Sequence, residues 1–107
     1  MSKIIYDKLV RDKIPEIIEK CGNSCVIATL NNDEYLKKLD EKINEELIEL
    51  RDGYSLEELC DLLEVLLAIG KLKGYSLEDI EKMRQQKNEA RGAFDKKILL
   101  KEVVEKD

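Results

Sequence analysis

Glu46 and Glu49 stand three residues apart, and so do Glu58 and Asp61, with eight residues between the two pairs. Residues three apart on a helix are neighbours on its surface, so each pair presents two carboxylates side by side. Clustered carboxylates repel one another, and gathering four of them destabilises a fold unless a cation is bound. All-oxygen ligation from Glu and Asp favours hard cations, Mg²⁺ or Mn²⁺, over zinc. The chain contains no histidine. That excludes a Ser-His-Asp or Cys-His nucleophile system, an imidazole general base and a His-containing zinc site. Catalysis by this chain would therefore rest on carboxylates, amines, hydroxyls, thiols or a bound metal.

The elements that must position these acids are legible in the local pattern. The 107 residues fit one domain, taken as 1–107, and a 43% hydrophobic content is enough for a core. Pro15 and Gly22 bracket a short helix over 15–21. The β-branched run Ser24 to Leu30 reads as a short strand, and Lys97 to Lys101 as a second one pairing with 25–30. A long helix is predicted over 33–51, stopping at Asp52-Gly53. Ser55-Leu56-Glu57-Glu58 has the pattern of a capping box and opens the next helix, which runs to about Lys73 and is stopped by Gly74. Gly53-Tyr54-Ser55-Leu56-Glu57-Glu58 recurs as Gly74-Tyr75-Ser76-Leu77-Glu78-Asp79, reuse of a good stop-then-cap phrase. A further helix spans about 77–89 and ends near Arg91-Gly92. The expected fold is all-α, an antiparallel helical hairpin or bundle with one short two-stranded pairing.

Helical positions advance ~100° per residue. In the helix over 33–51, Leu36, Leu39, Ile43, Leu47 and Leu50 form one stripe. Glu46 lies ~60° from its centre, and Glu49 and Lys42 lie ~100–120° away on the same flank. Glu45 points away and reads as a solvated residue. The next helix carries Leu56, Leu59, Leu62, Leu63, Val65, Leu66, Leu67 and Ile69 over more than half its circumference, so it needs more than one partner, inside the domain or in an oligomer. If the turn at 52–54 folds these helices antiparallel, the two acidic pairs converge near its closed end. Two alternatives stand beside a metal site. The acids would be an ordinary solvated face, and Glu58, as the N3 residue of a capping box, would bond back to Ser55.

Charge is segregated. The net charge of −5 argues against a protein that coats nucleic acid. Yet residues 34–64 hold eleven acids and four bases, net −7, and residues 82–101 hold seven bases and two acids, net +5. An acidic, metal-suited patch and a basic segment together suit a metal-bound polyphosphate. Ordinary pairing between the basic stretch and the acidic helices is the competing account. Three cysteines, 21, 25 and 60, in no CxxC spacing and with no signal-peptide pattern, indicate a reduced, cytoplasmic protein, each thiol a small buried or half-buried apolar group. The longest apolar run, Leu59 to Leu72, is too short and too charged to span a bilayer, so no membrane association is expected.

Lys42-Ile43-Asn44-Glu45-Glu46-Leu47-Ile48-Glu49 followed by Glu58-Leu59-Cys60-Asp61 resembles the EExxE…ExxD signature of the MazG-like, all-α nucleoside triphosphate pyrophosphohydrolases. Tyr6-Asp7-Lys8-Leu9-Val10-Arg11-Asp12-Lys13-Ile14-Pro15 and Lys87…Arg91-Gly92-Ala93-Phe94 resemble the two ends of the phosphoribosyl-ATP pyrophosphohydrolase-like branch. The spacing between Glu49 and Glu58 is shorter than is common in the family, which shortens the hairpin loop. The resemblance implies that Glu46, Glu49, Glu58 and Asp61 ligate Mg²⁺, with Mn²⁺ an alternative. It implies cleavage of a nucleotide between its α and β phosphates by a metal- and carboxylate-activated water, in a house-cleaning role toward non-standard nucleotides. One of the four acids, with Glu49 on its exposed flank the first candidate, would serve as base rather than purely as ligand. Lys42, Lys87 and Arg91, with Arg11 and Lys13 as further candidates, would contact phosphates. The family's members are dimers or tetramers, so a homodimer or homotetramer is expected, with a nucleotide and no nucleic-acid polymer as partner. The alternative function is a non-enzymatic helical oligomerisation module.

Overall fold

The computed structural model describes residues 2–106. Four helices follow one another: α1 (Ile14–Lys20), α2 (Asn32–Arg51), α3 (Leu56–Leu72) and α4 (Leu77–Arg91). The fold is all-α. Among the described residues there is no strand, which corrects the expectation for 24–30 and 97–101. Both segments lack regular secondary structure, with Val26, Ile27, Ile98, Leu99 and Leu100 exposed. A β-branched composition describes a residue that fits a half-buried pleated surface, and without a paired neighbour it makes no ladder. The chain divides into two compact units, Met1–Tyr75 and Ser76–Asp107.

In the first unit α2 and α3 pack against each other. Asn31 starts α2 with a full capping box: its side chain accepts the Glu34 N–H (2.9 Å), and the Glu34 carboxylate accepts the Asn31 N–H (3.3 Å). The leucine stripe of α2 faces inward, with Leu39 and Leu50 buried and Leu36, Ile43 and Leu47 half-buried; Val65 of α3 completes the core. The turn between the helices needs two left-handed residues, Gly53 at φ 100° and Tyr54 at φ 52°. Tyr54 N–H closes the end of α2 on Leu50 C=O at 2.8 Å. Glycine takes that conformation freely, which is why the helix stops there.

Ser55 then caps α3 by accepting the Glu58 N–H at 3.2 Å. Ser55→Ala removes that acceptor and is expected to destabilise the protein by about 1 kcal/mol, lowering the thermal midpoint by about 4–8 °C in circular dichroism. An unchanged midpoint would show that the cap contributes nothing. Leu56, Leu59, Leu63 and Leu66 of α3 are exposed at spacings of three and four, one apolar stripe along the helix.

The second unit is α4 and the segment after it. Ser76 and Asp79 form a capping box, which holds the Asp79 carboxyl below its ordinary value. Arg84 pairs with Glu81 one turn earlier, and Gly92 at φ 81° ends the helix at the stop read from Arg91-Gly92. Two of the three cysteines depart from expectation. Cys25 is half-buried, whereas Cys21 and Cys60 are exposed.

Candidate metal centre

The hairpin brings Glu46, Glu58 and Asp61 together, one oxygen from each lying within 4.8 Å of the others. Glu46 is there because it stands at the edge of the buried stripe of α2. Its residue is 6% exposed, an extreme value for a carboxylate. Glu46 Oε1 has Lys42 Nζ at 3.4 Å, one turn away on the same helix, while Oε2 is buried with no hydrogen-bond partner.

Glu58 reaches the cluster because α3 is only half capped. At α2 and α4 the N3 carboxylate folds back onto the cap residue's N–H. At α3 Ser55 receives the Glu58 N–H without the reciprocal bond, and Glu58 Oε2 is buried and unpartnered. The capping reading of the Glu58 side chain is therefore not what the structure shows. Burial raises the Glu46 carboxyl above the ordinary glutamate value, and the neighbouring Glu49 charge adds to this. Burial likewise raises Glu58, with Glu49, Asp61 and Glu46 pushing the same way. Glu49 stands on the exposed flank, outside the set of three but close enough to act on both.

An orphaned buried carboxylate oxygen is costly, and here there are two in one cluster. Hard divalent cations bind carboxylate oxygens at about 2.0–2.6 Å, so oxygens on one ion lie no more than about 4–5 Å apart. The spacing and the all-oxygen donor set fit Mg²⁺ or Mn²⁺, with Glu46, Glu58 and Asp61 as the residues able to hold it.

Basic side chains border the cluster. Arg11, in the segment leading into α1, donates from Nη2 to Asp61 Oδ1 at 2.7 Å. Lys8 donates to Glu45 Oε1 at 2.9 Å, and Lys42 reaches the same oxygen at 3.2 Å. Glu45 is thus not the solvated residue that its helical angle suggested. It is half-buried, and the Lys8 hydrogen bond holds its carboxyl below the ordinary value. Lys38 fastens the same segment through the Asp7 carbonyl at 3.1 Å. Lys13 sits exposed at the N-cap of α1. Lys87 and Arg91 are exposed on α4, in the second unit. Lys8 escaped notice in the sequence, although it lies three residues before Arg11 within the N-terminal motif.

Comparison with known proteins gives two relatives. An uncharacterised protein of Mycolicibacterium smegmatis is 54% identical over 44 residues, 41% of this chain and 45% of that protein's length. A phosphoribosyl-ATP pyrophosphatase of Clostridium acetobutylicum is 30% identical over 90 residues, covering 75% of this chain and 82% of that protein. The chain thus spans about half the length of the first and most of the second. No family model matches the chain, and no solved structure does.

Proposed function

Since this chain belongs to the family of the clostridial phosphoribosyl-ATP pyrophosphatase, within the MazG-like superfamily, we propose that it is a nucleotide pyrophosphohydrolase. The reaction is hydrolysis of a nucleoside triphosphate, or a related nucleotide, between the α and β phosphates, giving a monophosphate and pyrophosphate. The observation that carries this reading is the pair of orphaned carboxylate oxygens, Glu46 Oε2 and Glu58 Oε2, in a cluster spaced for one cation.

Glu46, Glu58 and Asp61 hold Mg²⁺ or Mn²⁺. When bound, the cation acidifies a water and screens the phosphate oxygens from the attacking oxygen's charge. Glu49, exposed beside the other acids, would accept a proton from the attacking water. Lys42, whose ammonium lies between Glu45 and Glu46, and Arg11 supply donors to phosphate oxygens, and Lys13 adds positive charge at the start of α1. The leucine stripe of α3 suits assembly into a homodimer or homotetramer. Among the described residues no helix is long and apolar enough to cross a membrane. The free thiols suit a reducing compartment, the cytoplasm. House-cleaning of non-standard nucleotides is the role proposed for the whole chain, 1–107, acting as one domain.

A panel of nucleoside triphosphates and phosphoribosyl-ATP, incubated with Mg²⁺, tests the reaction. Pyrophosphate and a monophosphate in equal amounts, abolished by a chelator, are expected. Release of inorganic phosphate instead, or turnover that survives the chelator, overturns the proposal, and inactivity on the whole panel counts against it.

A further inference from the structure

The guanidinium of Arg11 occupies a carboxylate of the proposed cation site. It donates to Asp61 Oδ1, fifty residues along the chain, and the further charges it feels there include Glu64 and Glu46. The backbone beneath it is fixed by a turn in which Ile14 N–H donates to Arg11 C=O at 3.0 Å. The side chain itself is 60% exposed, and its partner Asp61 is 31% exposed. An ion pair that open contributes only ~0.2–1 kcal/mol. A divalent cation gathering three carboxylates binds Asp61 more strongly than one solvated guanidinium does.

Two groups therefore compete for one carboxylate. Arg11 bonds Asp61 and leaves Glu46 Oε2 and Glu58 Oε2 without a partner, whereas a cation seated among the three acids would engage all of them. Once displaced, Arg11 keeps its anchored backbone and five donors in a planar fork that matches phosphate oxygens two at a time. It remains at the edge of the site, where the phosphates of a metal-bound nucleotide would lie.

Resting on the metal reading of this site, we infer that Arg11 is an exchanging residue: it neutralises Asp61 until a divalent cation takes that carboxylate, and then turns to the substrate's phosphates. It contributes twice, once as a tethered counter-ion and once as a substrate ligand, and these uses exclude one another. Loading metal thereby prepares the phosphate contact, which couples metal affinity to nucleotide affinity through one side chain.

The test uses Arg11→Gln in the full chain. Mn²⁺ binding without nucleotide is followed by the electron paramagnetic resonance of free Mn²⁺. Removing the internal competitor is expected to tighten Mn²⁺ binding about two- to fivefold, the range an exposed ion pair supplies. With nucleotide, KM should rise about tenfold while kcat stays within about threefold, since one charge-assisted contact to phosphate is lost. Arg11→Lys keeps the charge without the fork, so its Mn²⁺ affinity should stay near wild type while KM still rises. Mn²⁺ affinity that is unchanged or weaker in Arg11→Gln overturns the exchange, and so does an unchanged KM. Failure of the wild-type chain to bind Mn²⁺ at all would instead sink the metal reading, so the two failures are told apart by the wild-type titration.

Discussion

Glu46→Gln is expected to lower pyrophosphate release by about a hundredfold or more and, in the same protein, to raise the thermal midpoint measured in a chelator. The two effects have one cause. Glu46 is almost fully buried, its Oε2 has no partner, and burial with the Glu49 charge pushes its carboxyl up. A buried carboxylate that meets Lys42 through one oxygen only and leaves the other unpartnered destabilises the fold, so a neutral isostere relieves strain that the native residue maintains. Relief of ~1 kcal/mol moves a domain of this size upward by about 4–8 °C. The same substitution removes an anionic ligand, and losing a few kcal/mol of charge stabilisation slows the reaction by about 10²-fold or more.

Glu45→Gln is the matched control, one residue away, and its midpoint should move the other way. Glu45 accepts from Lys8 and Lys42 and stands outside the set of three. Its loss removes two partly exposed ion pairs, each worth ~0.2–1 kcal/mol, and lowers the midpoint while kcat stays within about threefold. Equal loss of activity in the two variants, or a lower chelated midpoint for Glu46→Gln, would show that Glu46 is an ordinary structural acid.

The parts of this fold that follow from short-range chemistry were legible before any coordinates. Ser55 and Ser76 are N-caps, Gly53 and Gly74 are stops, and the leucine spacing from Leu36 to Leu50 sets which face of α2 is buried. Glu46 could be separated from Glu45 by angle alone because burial follows the helical period. Long-range pairing was not legible. The run 24–30 has strand composition, but a ladder depends on a neighbour that composition does not specify. Glu45 lies on the outward face of α2, and an angle on one helix says nothing about the N-terminal segment that brings Lys8 across to it. Glu58 was ambiguous for the opposite reason. Its position suits both a cap and a site, and only the missing return bond to Ser55, visible in space, separates them.

Magnesium should therefore act on stability as well as on turnover, and its effect should depend on pH with a definite sign. Glu46 and Glu58 hold their protons more tightly in the fold than in the unfolded chain, where they revert to ordinary glutamate behaviour. Between those two values the folded state carries more protons, so raising the pH through that interval lowers stability. In a chelator the midpoint should accordingly climb as the pH is lowered from about 7.5 to about 5.5, where ordinary carboxylates are still ionised. Further acidification reverses the trend, because Glu45, Asp79 and Glu81 are held below their ordinary values by Lys8, Ser76 and Arg84. Their contribution is present above the ordinary carboxylate range and is lost as the pH falls through it. A divalent cation that binds only the folded state adds ~2.7 kcal/mol at about a hundred times its Kd, roughly 10 °C or more for a domain of this size. That gain should be largest near pH 7.5 and shrink toward pH 5.5 as protons compete for Glu46 and Glu58. Calorimetry at several pH values, with chelator and with Mg²⁺, checks both limbs. A chelated midpoint that is flat or rises between pH 5.5 and 7.5, or a Mg²⁺ increment that ignores pH, would mean that the buried carboxylates are not where the cation binds.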